Sequence, residues 1–445
     1  MKTPIVDFVN RYNRENGARM HMPGHKGRAQ LGFEELDITE ISGADSLYEA
    51  SGIIKESEEN ASRLFGCKTF YSTEGSSQCI RAMLYLAYLY AKENNKAPTV
   101  AALRNVHKTF LSGAALVGLE VDWIYGNGNS SYLSCSVTAS EIEDHLAECE
   151  EKPAAVYLTS PDYLGNILDI KGISEACEKY GVLLLVDNAH GAYLKFLKNS
   201  EHPIDHGAHL CCDSAHKTLP ALTGAAYLHV SHKAPGIFSE QAKNALAMFG
   251  STSPSYLILQ SLDKTNEYLA SGYERKLSET AERIKSLKDK LEAAEYKLCG
   301  NEALKITVMP KSRGYRGTEL ADILFSAGIV CEFADPDHIT FMLSPENTEK
   351  ELDLLERELL SLEAKAPLSE KAPAFHKCKK VLSVREAMLS VGECVKTEDA
   401  VNRVLVSPSV GCPPAVPIVV CGELVDETAV EIFKYYGIKE CTVKK

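Results

Sequence analysis

The chain has 445 residues, 45% hydrophobic and 24% charged, so it can build a sizeable core and is expected to fold as two or three domains. Its formal net charge of −13, without a long run of Lys or Arg, argues against nucleic acid as a partner. No stretch of about 18 apolar residues occurs, and residues 1–21 alternate apolar and charged side chains, so we expect a soluble, cytoplasmic protein with neither signal peptide nor membrane contact.

The 14 cysteines are scattered, with one adjacent pair and no Cys-x-x-Cys, which favours reduced thiols in a reducing compartment. Two groups of closely spaced histidines are interrupted by Pro and Gly, so their members cannot share a helix face: His202, His206 and His209, and His21 with His25. We therefore expect no metal.

Residues 1–70 combine short helical patterns with Pro/Gly turns, as in MPGHKG (22–27). From about residue 70 to 230, apolar runs of strand length alternate with helical patterns, which predicts a parallel sheet covered by helices. A helix is predicted from Gly172 to Tyr180, ended by Gly181. The five candidate strands are 99–104, 154–160, 182–189, 209–215 and 225–230.

The remaining chain predicts two smaller domains. An amphipathic helix over 278–296 leads into an α/β pattern whose candidate strands are 305–310, 328–335 and 338–343, with a helix over 349–365. A Pro- and Lys-rich linker (365–380) precedes a last segment with the turn-rich residues 407–417. The predicted domains are 1–275, 276–365 and 366–445.

A lysine follows the fourth candidate strand, in Ser214-Ala215-His216-Lys217. A lysine buried near a sheet edge has a lowered pKa, and its neutral amine can attack an aldehyde. Ser214 and His216 flank it and offer a hydroxyl and a ring nitrogen to a phosphate. The alternative is a solvated surface lysine, but the neighbouring residues favour chemistry.

An aspartate ends the very apolar strand LLLVD and begins the motif Asp187-Asn188-Ala189-His190. Open α/β sheets bind ligands at such strand tips. Beside a pyridine nitrogen, an Asp keeps that nitrogen protonated and makes the ring an electron sink. Capping of the next turn is the alternative. A strand-end Asp followed 30 residues later by a strand-end Lys is the order that a pyridoxal-5′-phosphate (PLP) enzyme of this fold needs.

Three further segments offer groups to a phosphate or to a planar ring, and each can also be a plain helix cap or a loop histidine. The first is the turn Gly75, Ser76 and Ser77, which opens a helix and whose backbone N–H groups and hydroxyls can cradle phosphate. The second is His107, whose ring could stack on an aromatic cofactor. The third is the turn Ser251, Thr252 and Ser253, which offers hydroxyls before an apolar helix.

Taken in order, these motifs resemble the Orn/Lys/Arg decarboxylase class-I family, PLP enzymes with the aspartate-aminotransferase-type fold. The resemblance spans most of residues 20–265 and implies an α/β protein of fold type I: a large domain with a mostly parallel sheet, a small α/β domain and a C-terminal domain. The matching stretches are HMPGHKG (21–27), residues 37–66, RNVHKTF (104–110), TSPDYLGNILDI (159–170), VDNAHGAY (187–193), DSAHKTLPALTGAAYLH (213–229) and STSPSYLILQSLD (251–263).

The resemblance also implies a role for each motif. Lys217 would carry PLP covalently, Asp187 would pair with the pyridinium, and His107 would stack on the ring. Lys217 and His216 are both candidates for the proton donor. The turn at Ser251, Thr252 and Ser253 would reach the cofactor of a neighbouring subunit, so an active homodimer is implied. The remaining cofactor-binding residues would be Gly75, Ser76, Ser77, His190, Ser214 and His216.

Three features depart from the family pattern. The chain begins directly at the PLP-domain region, without the N-terminal wing domain of the long members, so the higher rings that the wing supports are not expected. Asn188 stands where the family usually has Glu. The C-terminal loop reads VGCPPAVP (410–417), where the family usually has a sequence like Pro-Tyr-Pro-Pro-Gly-Ile-Pro. In the family, that region helps to shape the substrate pocket, so this last departure bears on which amino acid is the substrate.

The predicted function is PLP-dependent decarboxylation of a basic L-amino acid to CO₂ and the amine, a polyamine precursor. Arginine is preferred over lysine and ornithine, because the wingless members are often assigned to it. Two alternatives stay open: another PLP reaction on this fold, such as transamination or lyase chemistry, and a non-catalytic regulatory protein.

Overall fold

The computed structural model of the protein describes residues 1–15, 17–126, 131–408 and 414–445. Their helices are α1 (Pro4–Glu15), α2 (Ile53–Phe65), α3 (Gly75–Glu93), α4 (Lys108–Val117), α5 (Ala139–Glu148), α6 (Ile170–Lys179), α7 (Ala215–Thr218), α8 (Gly236–Ala247), α9 (Tyr256–Leu269), α10 (Tyr273–Ala293), α11 (Gly317–Ser326), α12 (Glu349–Ser361), α13 (Val384–Met388) and α14 (Glu427–Tyr435). Short 3₁₀ helices are Ala192–Phe196, Pro203–His206, Pro310–Arg313 and Thr397–Ala400.

The strands of the described residues are β1 (Lys68–Ser72), β2 (Thr99–Leu103), β3 (Glu120–Ile124), β4 (Ala155–Thr159), β5 (Leu183–Asp187), β6 (Leu210–Asp213), β7 (Ala226–Val230), β8 (Lys297–Cys299), β9 (Lys305–Met309), β10 (Phe333–Ala334), β11 (Ile339–Met342), β12 (Gly392–Lys396), β13 (Arg403–Val404), β14 (Leu424–Val425) and β15 (Glu440–Lys444). None of the helices within the described ranges is long and apolar enough to cross a membrane.

The chain divides into two compact units, each built from two stretches of sequence. Unit 1 comprises Met1–Asn95 and Leu183–Lys276, and unit 2 comprises Lys96–Val182 and Leu277–Lys445. The three domains expected from the sequence stay a prediction.

The strands of unit 1 lie in the order β1-β7-β6-β5. Strands β5 and β6 are parallel, with Asp187 opposite Cys212, whereas β7 runs antiparallel to both β6 and β1. Every residue of β5, β6 and β7 is buried, as their continuous apolar sequence predicts for strands covered on both faces. The parallel pairing places the residues after Asp187 and those after Asp213 at the same edge of the sheet.

Helix α3 opens immediately after β1 and packs on α8, β6 and β7. Gly75, its first residue, has φ +71°, a conformation that favours glycine. The amide of Gly75 donates to the Gly224 carbonyl (2.7 Å), which joins the start of α3 to the turn before β7.

Unit 2 contains parallel strands in the order β4-β2-β3 and an antiparallel sheet in the order β10-β11-β9-β8. Two small antiparallel pairs, β12 with β15 and β13 with β14, lie in its C-terminal part. Their apolar residues share a core with α14, in which Leu405, Phe433 and Val443 are buried. Of the turn-rich stretch 407–417, residues 409–413 lie outside the described residues.

All five strands predicted in the large sheet are confirmed, and the helix predicted at 172–180 is α6. The prediction of a strand over 328–335 is wrong, because only Phe333–Ala334 is extended. Gly328, at φ +85°, and the amide of Ile329, which donates to the Leu324 carbonyl, instead end α11. The helix predicted from residue 278 begins earlier, at Tyr273. No residue range was predicted for β1, β3, β8 or the short strands β12 to β15.

Candidate active site

Lys217 lies in α7, directly after β6, and its Nζ is 2.9 Å from Nε2 of His190. His190 follows β5 and is buried. Lys217 itself is exposed, so the expectation of a buried lysine is wrong. Lys217 belongs to the helical turn Ala215–Thr218, which follows the fully buried strand β6. A nucleophilic amine and an imidazole therefore meet at the carboxyl edge of two parallel strands.

Asp187 is the last residue of β5, and only 2% of it is exposed. Its Oδ1 accepts hydrogen bonds from the Ala189 amide (3.1 Å) and the Cys212 thiol (3.6 Å). The alternative of turn capping is thus correct for one carboxylate oxygen. This capping is compatible with a hydrogen bond to a protonated pyridine nitrogen, because a carboxylate has two oxygens and several lone pairs.

The start of α3 meets the segment after β6. Ser214 Oγ donates to Ser76 Oγ at 2.8 Å, although 138 positions separate the two residues. A Cβ placed on Gly75 would lie 3.9 Å from Cε1 of His216, so the His216 ring lies beside the same turn. Glu74, the N-cap residue of α3, makes no side-chain capping hydrogen bond to the helix. Two hydroxyls and the positive end of a 19-residue helix thus converge, a donor set suited to phosphate.

His216 is half-buried, and its Nδ1 is 2.9 Å from the Ala225 carbonyl oxygen. A carbonyl only accepts, so Nδ1 carries the donated proton and Nε2 of the neutral ring is an acceptor. Burial lowers the pKa of His216, and the adjacent Lys217 charge lowers it further, against the hydrogen bond to Ala225. The neutral form favours His216 as a proton acceptor, whereas donation to a phosphate from Nε2 requires the protonated ring.

Asp213, at the end of β6, accepts hydrogen bonds from three fully buried side chains. The donors are Nε2 of His202 (3.0 Å), Nε2 of His229 (3.0 Å) and Nδ2 of Asn188 (2.7 Å). Burial alone would raise the pKa of Asp213, but the two imidazoles bring it well below its usual range. The same carboxylate raises the pKa of His229 against the effect of burial. These hydrogen bonds hold Asn188, which follows Asp187, and Asp213, which precedes Ser214.

We did not predict this network from the sequence. Its members come from four separate segments, and His202 belongs to none of the motifs identified in the sequence. The one available signal was Asn188, the departure from the family pattern. A second carboxyl at that position would face Asp213, whereas the Asn188 amide donates to it. His202, Cys211 and Asp213 have residue types that can ligate a metal and lie close together, but here they are joined by hydrogen bonds.

His107 belongs to unit 2, whereas the other candidate residues belong to unit 1. It is the N-cap residue of α4, and its Nδ1 accepts the Thr109 amide (3.2 Å). This capping role gives a structural reason for a histidine here. Its stacking on a cofactor stays a prediction.

The turn at Ser251, Thr252 and Ser253 is exposed. The amide of Ser251 donates to the Glu74 carboxylate, which brings this turn to the start of α3. The capping residue of α9 is Ser255, whose Oγ accepts the Ile258 amide (3.4 Å). The alternative that residues 251–253 cap this helix is therefore wrong.

These residues fit PLP. Unit 1 supplies an amine for the aldehyde, a buried carboxylate at a strand tip for the ring nitrogen, and hydroxyls with a helix N-terminus for the phosphate. They are Lys217, Asp187, Ser76, Ser214 and the first turn of α3.

A family model for the Orn/Lys/Arg decarboxylase major domain matches residues 3–311. The chain belongs to this family. It is 29% identical to the uncharacterized protein YaaO of Bacillus subtilis, over 97% of this chain and 93% of that protein. It is 28% identical to the arginine decarboxylase of Halalkalibacterium halodurans, over 96% of this chain and 92% of the relative.

Solved structures share the fold. The constitutive lysine decarboxylase of E. coli superposes with a TM-score of 0.78 at 18% identity, covering 100% of this chain and 82% of that one. Lysine decarboxylase A from Pseudomonas aeruginosa gives 0.79 at 17% identity, covering 98% and 76%. The family and fold predictions are confirmed: the protein is a PLP-dependent amino-acid decarboxylase of fold type I.

Proposed function

We propose that this enzyme removes the α-carboxylate of L-arginine in preference to L-lysine and L-ornithine, releasing CO₂ and the corresponding amine. Two relatives that match over more than nine-tenths of both chains are named arginine decarboxylase, from H. halodurans and B. subtilis. The structures named lysine decarboxylase are less than 20% identical and support only the fold. The amine product would be a polyamine precursor.

The observation that carries the reaction is the contact of Lys217 with His190, which follows the buried Asp187 by three positions. Lys217 would hold PLP through its Nζ, and Asp187 would keep the ring nitrogen protonated. When bound, PLP supplies an electron sink for the electron pair left behind as CO₂ departs. Phosphate would be held by Gly75, Ser76, Ser77, Ser214 and His216, and His107 would stack on the ring.

Proton transfer is assigned to the basic groups around Lys217. An ammonium cannot act as a nucleophile, so Lys217 must lose a proton, and Nε2 of His190 lies within hydrogen-bond distance to take it. Lys217 and His216 are the two candidates for returning a proton to the α-carbon.

We also propose an active homodimer in which the turn 251–253 completes the neighbouring subunit's site. The turn is exposed and carries three consecutive hydroxyl side chains, and it adjoins the start of α3 through Glu74. Such a turn has room to reach a second chain, as the family resemblance implies.

The compartment that we propose is the cytoplasm. The 13 cysteines among the described residues form no disulfide with one another. Burial raises the pKa of Cys79, Cys211 and Cys212, which disfavours the reactive thiolate.

The substrate is tested by measuring kcat/KM of the PLP-loaded protein for L-arginine, L-lysine and L-ornithine, with amine and CO₂ both quantified. We expect the value for arginine to exceed the other two by at least about tenfold. A preference for lysine or ornithine would overturn the substrate assignment alone. Keto acid in place of amine would show transamination, and release of neither product from any of the three would overturn the proposed reaction.

A further inference from the structure

Three side chains of unit 2 whose types can ligate a metal lie close together: Asp122 in β3, and His145 and Cys149 at the end of α5. Nε2 of His145 is 2.8 Å from Oδ2 of Asp122, and Sγ of Cys149 is 3.8 Å from the same oxygen. One ligand atom from each residue lies within 4.8 Å of the other two. None of the three belongs to the motifs assigned to the PLP site.

Local structure explains how the three side chains meet. His145 and Cys149 are four positions apart, and the Cys149 amide donates to the His145 carbonyl (3.3 Å), so the two side chains lie one helical turn apart on the same face. The Cys149 thiol points back along this turn and donates to the same carbonyl at 3.2 Å. Asp122 comes from β3, which lies at the end of the strand order β4-β2-β3. A helix end and an edge strand together thus form a three-atom chelate.

The distances are close to those of a tetrahedral zinc site. With Zn–N and Zn–O bonds of about 2.0 Å and a Zn–S bond of about 2.3 Å, tetrahedral ligand atoms lie about 3.3–3.6 Å apart. The observed 2.8 Å and 3.8 Å differ from these values by only about half an ångström. A thiolate beside an imidazole favours Zn²⁺ over Mg²⁺ and Ca²⁺, which select oxygen ligands.

The site is open to solvent on one side. The side chain of His145 is 24% exposed and that of Asp122 is 43% exposed, so an ion can enter and a water molecule can complete its coordination. Glu148 and Glu150, which flank Cys149 in sequence, are exposed. Their charges favour a cation at this surface.

A second group of unit 2 provides the contrast. Asp335, Asp337 and His338 also lie close together, and all three are buried. There the Lys311 ammonium and the Tyr435 hydroxyl each donate to Oδ1 of Asp337 at 2.7 Å. A protein cation already neutralises that carboxylate, whereas the partner of Asp122 is an imidazole that can itself become a ligand.

We propose that Asp122, His145 and Cys149 bind one Zn²⁺ per chain through Oδ2, Nε2 and Sγ, with water as the fourth ligand. The ion needs the lone pair of Nε2, so the ring proton moves to Nδ1, and the thiol proton leaves to solvent. The two anionic ligands balance the charge of the ion, which would join the end of α5 to β3. The expectation of no metal considered only closely spaced histidines, whereas Asp122 and His145 are 23 positions apart.

The test titrates PLP-loaded, metal-free protein with Zn²⁺ by calorimetry and with Co²⁺ by visible absorption, under a reductant that contains no thiol. We expect one ion per chain and a cobalt spectrum typical of tetrahedral coordination with a thiolate. Cys149→Ser and His145→Asn should each weaken Zn²⁺ binding by at least about tenfold, and Cys149→Ser should remove the cobalt–thiolate absorption.

Two matched controls lie in the same unit. Cys394→Ser removes an exposed thiol, and His376→Asn removes a member of another group of possible ligands, His376, Cys378 and Asp426. Both should bind Zn²⁺ as the wild type does. Zn²⁺ should also slow hydrogen exchange around Asp122 and Cys149 in the wild type, but not in His145→Asn.

A wild type that binds no Zn²⁺ would overturn the inference. Unchanged binding in His145→Asn, or an equal loss in His376→Asn, would overturn it as well, because the ion would then lie elsewhere. Should Cys149→Ser not fold, Asp122→Asn takes its place, with the same tenfold loss expected and unchanged binding contradicting the site. Slower exchange confined to other segments would also contradict it.

Discussion

Nζ of Lys217 lies 2.9 Å from Nε2 of His190, although 27 positions separate the two residues. The contact follows from the parallel pairing of β5 with β6, which places the segments after both strands at one edge of the sheet. It gives the lysine a proton acceptor without requiring its burial. Exposure of Lys217 is therefore compatible with the nucleophilic role that we propose for it.

Replacement of His190 should slow the steps that need a neutral Lys217. His190→Asn is expected to lower kcat/KM at neutral pH by about 10²-fold, with less loss at high pH, where the lysine deprotonates without help. The measurement is a pH–rate profile beside the cofactor absorbance spectrum. His206→Asn is the control, because His206 lies in the same unit and its Nε2 bonds to the Ser200 carbonyl. A profile identical to that of the wild type would exclude this role.

Replacement of Asp187 should remove the charge that we propose keeps the ring nitrogen protonated. Asp187→Asn preserves the size and one hydrogen-bond acceptor for the Ala189 amide, so the fold should survive. We expect kcat to fall by at least about 10²-fold, while the melting temperature changes by only a few degrees. Asp205→Asn, which removes a carboxylate bonded to Lys195 in the same unit, should leave kcat unaltered. Retained kcat in Asp187→Asn would contradict the electron-sink role.

The buried Asp213 network makes a pH-dependent contribution to stability. The pKa of Asp213 is depressed in the folded protein, so its contribution is present above the unfolded value of about 3.9 and is lost as pH falls below it. Asp213→Asn should therefore cost about 3 kcal/mol in the free energy of unfolding at pH 7, and less at pH 3. Urea unfolding at both pH values checks this. A cost that does not change with pH would show that the carboxylate charge contributes nothing.

The proposed dimer predicts complementation between two inactive variants. Lys217→Ala lacks the lysine proposed to hold PLP, and a chain with Ala at 251, 252 and 253 lacks the hydroxyl turn. When the two are unfolded and refolded together, mixed dimers should regain one intact site and up to about a quarter of wild-type activity. Light scattering of the wild type should give the mass of two chains. A monomeric mass, or no regained activity from a confirmed mixed dimer, would count against shared sites.

The sequence was sufficient for the five predicted strands β2, β4, β5, β6 and β7 and for the residues that follow β5 and β6. Strands β5, β6 and β7 are continuous apolar runs buried on both faces, a pattern typical of strands in the middle of a covered sheet. Strand β3, by contrast, mixes exposed, partly buried and buried residues without regular alternation over Glu120–Ile124, and β1 begins with an exposed lysine. Such short, mixed patterns are not distinguishable from loops without knowledge of the neighbouring strand.

Long-range polar contacts were beyond sequence reasoning for a different reason. The hydrogen bond from Ser214 to Ser76 and the two imidazoles on Asp213 join segments whose proximity depends on strand order. Strand order is set by packing of the whole domain and leaves no local periodicity. The exposure of Lys217 was not predictable either, because it depends on a single helical turn after β6 that no sequence pattern marks. Motifs identified the residues, whereas the fold determined their partners.

The role of Lys217 in decarboxylation is tested most directly by CO₂ release from carboxyl-labelled L-arginine, using PLP-loaded wild type, Lys217→Ala and Lys233→Ala. Lys233 is an exposed lysine of the same unit and serves as the control for loss of a surface charge. We predict labelled CO₂ with an equal amount of amine from the wild type and from Lys233→Ala, and none above background from Lys217→Ala. Turnover by Lys217→Ala at the wild-type rate would contradict the assignment of Lys217 as the residue that holds PLP.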